Sequence, residues 1–473
     1  MRPDFDGARE RIEKLLRFLK ARLSKEPKHG FGKHEEIIPV HTKTGKITMQ
    51  KREVGVAKKK SPVKKEKSSK SKTEKIKNPN NAGENANLDT PSFTRTLYSI
   101  DNKGKTRVWT IQVDNGKYRF TTGLEEGKLT TSKWTVAEEK NKGKKNYRNQ
   151  VQQATFEGLA HITKQMKKGY GIDRKVATSN KGSIFKPMLA KKYSDLKAKV
   201  LKDIPKGEYV SQIKADGIRC VIDSDRTFSR ENNDFSSVPH LDPLKKIAKK
   251  YNCLFDGELY NHAYFNDFGS ISGMTRTQNK QADLQYWIFD CYFKDEPNLT
   301  YKQRMKKVQG MKEISKEFGN TSFTDITNYP KNKRHVIIVP YDEIKSEKSL
   351  DTLYFDNYLE NGFEGQMLKK DVPYENKRTP SLLKRKEFTD DEFIILGAIE
   401  GKGNRSGTAG KLVFKLPNGK TFHADIMGSM DYRKKLLKNI DKLKGKKATV
   451  KFFHYTVDGI PRHPNVKAIR DYE

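Results

Sequence analysis

Ordered patterning of apolar and polar positions resumes near Phe93, with the alternation itself at Thr106 and beyond. Thr106 to Val113 and Lys117 to Thr122 read as two strands around Asp114-Asn115-Gly116, a tight-turn sequence, and a third strand is expected over Lys128 to Trp134. The period then changes. From Gln150 to Lys168, with Phe156, Leu159, Ile162 and Met166 on one face, the spacing predicts a helix that ends before Gly169-Tyr170. A small sheet with one helix makes residues 91–172 a domain of their own, followed by a linker at roughly 171–183. Phe185-Lys186-Pro187-Met188-Leu189-Ala190 opens a long mixed region, 183–388. Beyond it, in 389–473, short alternating runs at Phe393 to Gly397, Leu412 to Leu416, Thr421 to Ala424 and Ala448 to Phe453, separated by Gly and Asn turns, predict a small barrel.

The front of the chain reads differently. Ile12, Leu15, Leu16, Phe18, Leu19 and Leu23 lie among basic residues within 1–42, the pattern of a short amphipathic basic helix that docks on its own protein or on a partner. Residues 43–90 are lysine, serine, asparagine and proline with few aliphatics, too polar to bury a core, and a disordered linker is expected. Such a tail is either a plain solvated linker or an aid to nucleic-acid affinity or nuclear import. The expected class is therefore α+β and multi-domain, which suits 473 residues.

Charge changes the picture. Lysine and arginine number 96 against 59 acidic residues, a net +37. That excess points to a polyanion, with nucleic acid first because closely spaced phosphates reward many weak cationic contacts through counterion release. A membrane partner is not expected, since no stretch approaches the roughly 18 apolar residues of a spanning helix and no signal-peptide pattern opens the chain. An intracellular site follows, the nucleus or a viral replication site if the basic tail is an address and the cytoplasm otherwise. Cys220, Cys253 and Cys291 form no C-x-x-C pair and read as reduced, mostly buried thiols.

Candidate chemistry centres on Gln212-Ile213-Lys214-Ala215-Asp216-Gly217-Ile218-Arg219. Tyr209 to Ile213 alternate as a strand and Asp216-Gly217 signals a turn, so Lys214 sits at a strand end. Alone, K-x-D-G in a lysine-rich chain describes a surface turn equally well. Five runs further along the chain alter that reading: Ser229-Arg230-Glu231-Asn232, Phe255-Asp256-Gly257-Glu258-Leu259-Tyr260, Tyr286-Trp287-Ile288-Phe289-Asp290, Phe363-Glu364-Gly365-Gln366-Met367-Leu368-Lys369 and Leu382-Leu383-Lys384-Arg385-Lys386-Glu387-Phe388. Together with the Lys214 run, and in that order, they resemble motifs I, Ia, III, IIIa, IV and V of the covalent nucleotidyltransferases, and most closely the ATP-dependent DNA ligases. Arg462 to Asp471 resembles motif VI of their C-terminal OB-fold, with Ala468 where many relatives carry a second basic residue. Gly401-Lys402-Gly403-Asn404-Arg405, Gly410-Lys411-Leu412 and Met427-Gly428-Ser429 resemble the same fold. Residues 91–172 resemble a WGR domain, although Thr122-Gly123-Leu124 replaces the Trp-Gly-Arg signature.

The resemblance implies that Lys214 is the nucleophile that takes AMP from ATP. Gln212 would meet the adenine edge, Ile213 would be part of the nucleotide site, Glu258 would meet the ribose, and Phe289 would stack on the purine. Glu364, with Glu258 and Asp216, would hold Mg²⁺, for which Mn²⁺ can substitute. Lys384 and Lys386, two apart on a strand, would grip the α-phosphate and lower the pKa of Lys214. Arg462 and Arg470 would orient the leaving pyrophosphate. Arg219 would serve both nucleotide and DNA, while Asp216, Ser229 and Arg230 would face a nick. The expected partner is nicked duplex DNA and the expected state a monomer. RNA ligase, capping guanylyltransferase and non-catalytic tethering readings share parts of this pattern. An NAD⁺ donor is not expected, because Arg219 rather than alanine follows Asp-Gly and no four-cysteine module is present.

Overall fold

The computed structural model describes residues 35–41, 47–53, 88–101, 103–180, 184–277, 283–319 and 336–470. The amphipathic segment expected near residues 8–24 lies outside them. Glu35–His41 and Ile47–Glu53 pair antiparallel within a unit of their own. This corrects the expected boundary, since a strand at residues 47–53 falls inside the stretch read as a disordered linker. The sequence there alternates apolar Ile47 and Met49 with polar residues, a pattern that favours strand pairing.

In the small domain, Ser92–Ile100, Thr106–Asp114 and Lys117–Leu124 form an antiparallel meander. The first of these strands was not foreseen. Asn115 (φ 39°) and Gly116 (φ 83°) both take left-handed backbone, the geometry of a tight two-residue hairpin. The single strand expected over residues 128–134 is instead two short pieces, Thr130–Thr131 and Thr135–Val136, each pairing with Lys117–Leu124. Between them the pairing lapses, and Lys117 and Arg119 lie against the Trp134 ring. The helix spans Gln150–Met166, started by an Asn149–Gln152 capping box. It packs on Leu97, Trp109, Ile111 and Val113.

Residues 185–386 build two five-stranded sheets. One is ordered Thr227–Ser229, Ile218–Ile222, Cys253–Tyr260, Gln285–Phe293, Val336–Ile338; the other is Asp342–Glu343, Tyr209–Lys214, Gly365–Lys370, Arg378–Arg385, Leu189–Lys192. The main apolar core is organised by the first sheet, around Phe255, Tyr286, Trp287 and Ile288. All three cysteines are buried free thiols.

Thr389–Glu400, Ala409–Lys415, Thr421–Ile426, Asn465–Ile469 and Lys447–Phe452 close into a barrel in that spatial order. Asn465–Ile469, unforeseen as a strand, completes the ring by pairing with both Thr421–Ile426 and Lys447–Phe452. Phe393 and Ile395 point into the barrel, whereas Ile394 and Leu396 between and beside them are exposed, as the two-residue period requires. Among the described residues, no helix is long and apolar enough to cross a membrane.

Candidate active site

Lys214 is the last residue of the strand Tyr209–Lys214 in one sheet, and the next strand, Ile218–Ile222, belongs to the other. Asp216-Gly217 is therefore not the turn of a hairpin but the point where the chain crosses between sheets. Gly217 serves that crossing through close packing, because a Cβ there would lie 2.4 Å from the Leu259 carbonyl oxygen. The register on either side assembles the site. Lys214 stands opposite Gly365, and Met367 opposite both Gln212 and Lys384. In the other sheet Arg219 stands opposite Glu258.

These elements enclose a cavity of about 240 Å³ lined by Gln212, Ile213, Lys214, Arg219, Arg230, Glu258, Phe289 and Lys384, among others. Eight residues singled out from the sequence thus meet in one place. Gln212 is buried; its amide nitrogen donates to the Val339 carbonyl at 3.0 Å, while its Oε1 has no hydrogen-bond partner. A buried, unsatisfied acceptor at a cavity wall is costly unless a donor arrives. Phe289 is half-buried on that wall, flanked by the Arg219 guanidinium 5.4 Å and the Lys369 ammonium 5.0 Å from its ring centre.

The Lys214 ammonium donates to Glu364 Oε2, and Lys386 donates to Glu364 Oε1 at 2.9 Å. Burial works against the charge on Lys214, but Glu364, Glu258 and Asp216 outweigh it and hold the amine above its ordinary pKa. This overturns the expectation that Lys384 and Lys386 lower it, because Lys386 spends its charge on Glu364. Lys384 is itself held below the usual lysine range, by burial first and then by Lys386 and Lys214. Burial opposes the charge on Glu364 too, yet Lys214 and Lys386 keep its carboxyl below the ordinary range. Glu258 goes the other way, pushed up to about 8, chiefly by burial.

Several expected residues stand elsewhere. Asp216 is buried and takes a hydrogen bond from Arg462 of the barrel, with His454 Nε2 at 3.5 Å. Its carboxyl is held well below the usual range, since His454 and Arg462 overcome the cost of burial. Among the described residues no group of three or more His, Cys, Asp or Glu is arranged to hold a metal ion, so the expected trio of Glu364, Glu258 and Asp216 does not form a cage. Arg219 points into the wall rather than to an open face: it grips Asp256 with bonds of 2.8 and 2.5 Å and donates to the Met188 carbonyl at 2.7 Å. Arg462 lies over the Phe268 ring at 3.8 Å. Arg470 is not brought to the cavity; it pairs with Glu392 on the barrel surface at 3.0 Å. Ser229 accepts from the Asn233 amide at 3.0 Å and shapes the turn that carries the exposed Arg230.

The cavity also uses Leu189, Val339, Met367, Lys369 and Arg378, which carried no assigned role in the sequence. Two-residue periodicity was the available signal for some of them. Met367 and Lys369 share a face, as do Arg378, Leu382 and Lys384. Lys369 is buried with its amine lowered to about 8, chiefly by burial, and donates to the Phe289 carbonyl at 2.6 Å. Beneath it, Arg304 holds Asp290 at 2.8 and 3.2 Å.

Two sheets meet at a strand-end lysine beside a cavity, and a closed barrel reaches back to Asp216, so the architecture is a sheet-rich α+β domain joined to an OB-like barrel. The family described as ATP dependent DNA ligase domain matches residues 187–386. A DNA ligase of African swine fever virus is 28% identical over 318 residues, covering 63% of this chain and 68% of that protein. A DNA ligase of Variola virus is 24% identical over 242 residues, covering 47% of this chain and 40% of that protein. A solved structure described as Pmar-Lig_PreS3 superposes with a TM-score of 0.50 at 19% identity, covering 68% of this chain and 75% of that one, a likeness of fold. The chain is thus similar to ATP-dependent DNA ligases over residues 187–386, and to viral DNA ligases over a longer stretch.

Proposed function

We propose that this protein is an ATP-dependent DNA ligase that seals nicks between a 5′-phosphate and a 3′-hydroxyl in duplex DNA, as a monomer, with Lys214 as the residue that carries AMP. The observation that bears most weight is the placement of Lys214, at a strand end and on the wall of a cavity shared with Gln212, Glu258 and Phe289. In the first step Lys214 Nζ attacks the α-phosphorus of ATP; an N–P bond forms, the bond to the bridging oxygen breaks, and pyrophosphate leaves with its electron pair. The amine must lose its proton before it attacks. In the second step a 5′-phosphate oxygen takes the AMP and returns Lys214, and in the third the 3′-hydroxyl displaces AMP. Each is an in-line transfer that depends on positioning and charge neutralisation.

The orphan Oε1 of Gln212 suits the exocyclic amine of adenine. Phe289 and Met367 offer faces to the purine, Glu258 suits the ribose hydroxyls, and Lys384 suits the α-phosphate. Mg²⁺, or Mn²⁺ in its place, fits Glu364 and Glu258, because a hard cation usually takes one or two carboxylates and completes its shell with phosphates and water. Bound there, it would neutralise phosphate charge and compete with Lys214 for Glu364. Arg230 suits the 5′-phosphate as an exposed guanidinium beside the cavity. Arg462, from its position on Asp216, suits the pyrophosphate end. The small domain, which resembles a WGR domain, adds contacts to duplex DNA in this reading. The test is lysine-AMP formation with ATP and Mg²⁺ in the native chain and in Lys214→Ala. The adduct should disappear in the variant, and its persistence there would remove Lys214 from the mechanism.

A further inference from the structure

A second opening, with a volume of about 710 Å³, lies between the small domain and the two-sheet region of residues 185–386. One wall is the end of the helix Gln150–Met166 with the residues just after it, and the other is Ile184–Lys186 and the Arg230–Asn233 turn. Its ionisable lining is Lys164, Lys167, Lys168, Lys186 and Arg230 against a single carboxylate, Glu231. Lys164, Lys168, Lys186 and Arg230 are exposed. The two walls are tied together: Lys167 Nζ donates to Asn233 Oδ1 at 2.6 Å, and Asn232 donates to the Lys167 carbonyl at 3.3 Å. Arg230 lines this groove and the Lys214 cavity alike.

We infer that this groove is a phosphate track for the DNA backbone beside the nick, so that the small domain supplies part of the substrate surface immediately next to the reacting lysine. The inference rests on the nick-sealing reading and adds to it where the flanking phosphates lie. Charge selects the occupant, since five cations facing one carboxylate suit a polyanion. Continuity selects among polyanions, because a strand whose reacting phosphate sits at Arg230 must lay its neighbouring phosphates close by. Phe156, Leu159 and Phe185 in the same lining offer apolar surface to the sugars. The ties from Lys167 to the Asn232–Asn233 turn hold the two walls in register before DNA arrives, which lowers the ordering cost of binding.

The test measures nicked-duplex affinity of the full chain across a salt series, for native protein, for Lys164→Ala with Lys168→Ala, and separately for Lys186→Ala on the opposite wall. The slope of log affinity against log salt should shrink by about 0.9 for each phosphate that is no longer neutralised, while lysine-AMP formation without DNA stays at the native level. Because the variants lie on two domains, a folding defect in one does not remove the other. Unchanged slope and affinity in both would overturn the inference even if the native chain seals nicks. A groove serving an acidic protein instead would show itself if the variants lost affinity for a polyglutamate peptide and kept the native DNA slope. Absence of any lysine-AMP in the native chain would count against the ligase chemistry, and absence of nick binding against the groove.

Discussion

The charges in the wall around Lys214 are mostly buried and paired, whereas in the adjoining groove five cations face one carboxylate and most stand in water. Arg230 belongs to both. Inside the cavity wall Lys214 and Lys386 share Glu364, Arg219 clasps Asp256, and Arg304 clasps Asp290. Desolvation makes an unpaired charge there expensive, so each partner is specific and its removal is felt strongly. In the groove, solvent and salt screen every charge, so no single lysine decides the outcome and the effect is spread over the set. One region is built for chemistry at one atom and the other for grip along a polymer.

The sharpest way to break that contrast is Lys214→Ala, which should abolish lysine-AMP formation and nick sealing together. No substitution of the groove lysines should do so. The next largest effect is expected from Arg304→Ala, which leaves Asp290 buried with Lys369 3.7 Å away as its remaining cation. Removing one partner of a buried pair typically costs about 3–5 kcal/mol, and Lys369 should bring the loss to the lower end. Denaturant unfolding of the full chain, followed by a signal from Trp287, measures it. A loss no larger than that of a surface lysine would show that the network is not an individually matched pair.

How far this contrast could be read in the sequence differed between its halves. The motif order brought Gln212, Lys214, Glu258, Phe289 and Lys384 together correctly, because each lies on a strand whose alternation fixes its face. The crossing between sheets at Asp216-Gly217 was not legible: a bend between two strands of one sheet and a bend between two sheets have the same local sequence. The partners of Lys214 were also hidden, since Glu364 lies 150 residues away and its pairing depends on sheet order. Arg470 illustrates the converse, a motif residue whose carboxylate partner, Glu392, is on its own barrel. The groove was invisible for a third reason. Lys164, Lys167 and Lys168 are ordinary helix-end lysines until another domain is set against them.

A smaller effect, and a sharper one, concerns the pH at which Lys214 becomes competent. Glu364 holds the ammonium above its ordinary pKa, so the native rate of lysine-AMP formation should rise with pH through the alkaline range. Glu364→Gln removes the leading charge that favours the protonated amine and leaves burial, which disfavours it. The alkaline limb should therefore move to lower pH. The maximal rate should fall in the same variant, because Glu364 also suits the metal. Single-turnover adduct formation across pH separates the two consequences, and a slower enzyme with an unmoved limb would mean that Glu364 does not set the amine's protonation.

The smallest effect should come where an ion pair has neither burial nor a substrate to serve. Lys402 of the barrel meets Glu138 of the small domain at 2.9 Å, with 54% and 62% of the side chains exposed, and the neighbouring Asn404 accepts from the Lys133 amide at 2.9 Å. Lys402 holds the Glu138 carboxyl below its ordinary 4.5, so whatever stability the pair gives is present above that pH and lost as pH falls through the lowered value. Solvent screening limits that stability to about 0–1 kcal/mol. Lys402→Ala should shift the unfolding midpoint little at low salt and not at all at high salt, with sealing unchanged. A large, salt-resistant loss would place this contact with the matched charges of the cavity wall, and the small domain would then be held to the barrel as firmly as the two sheets are held to each other.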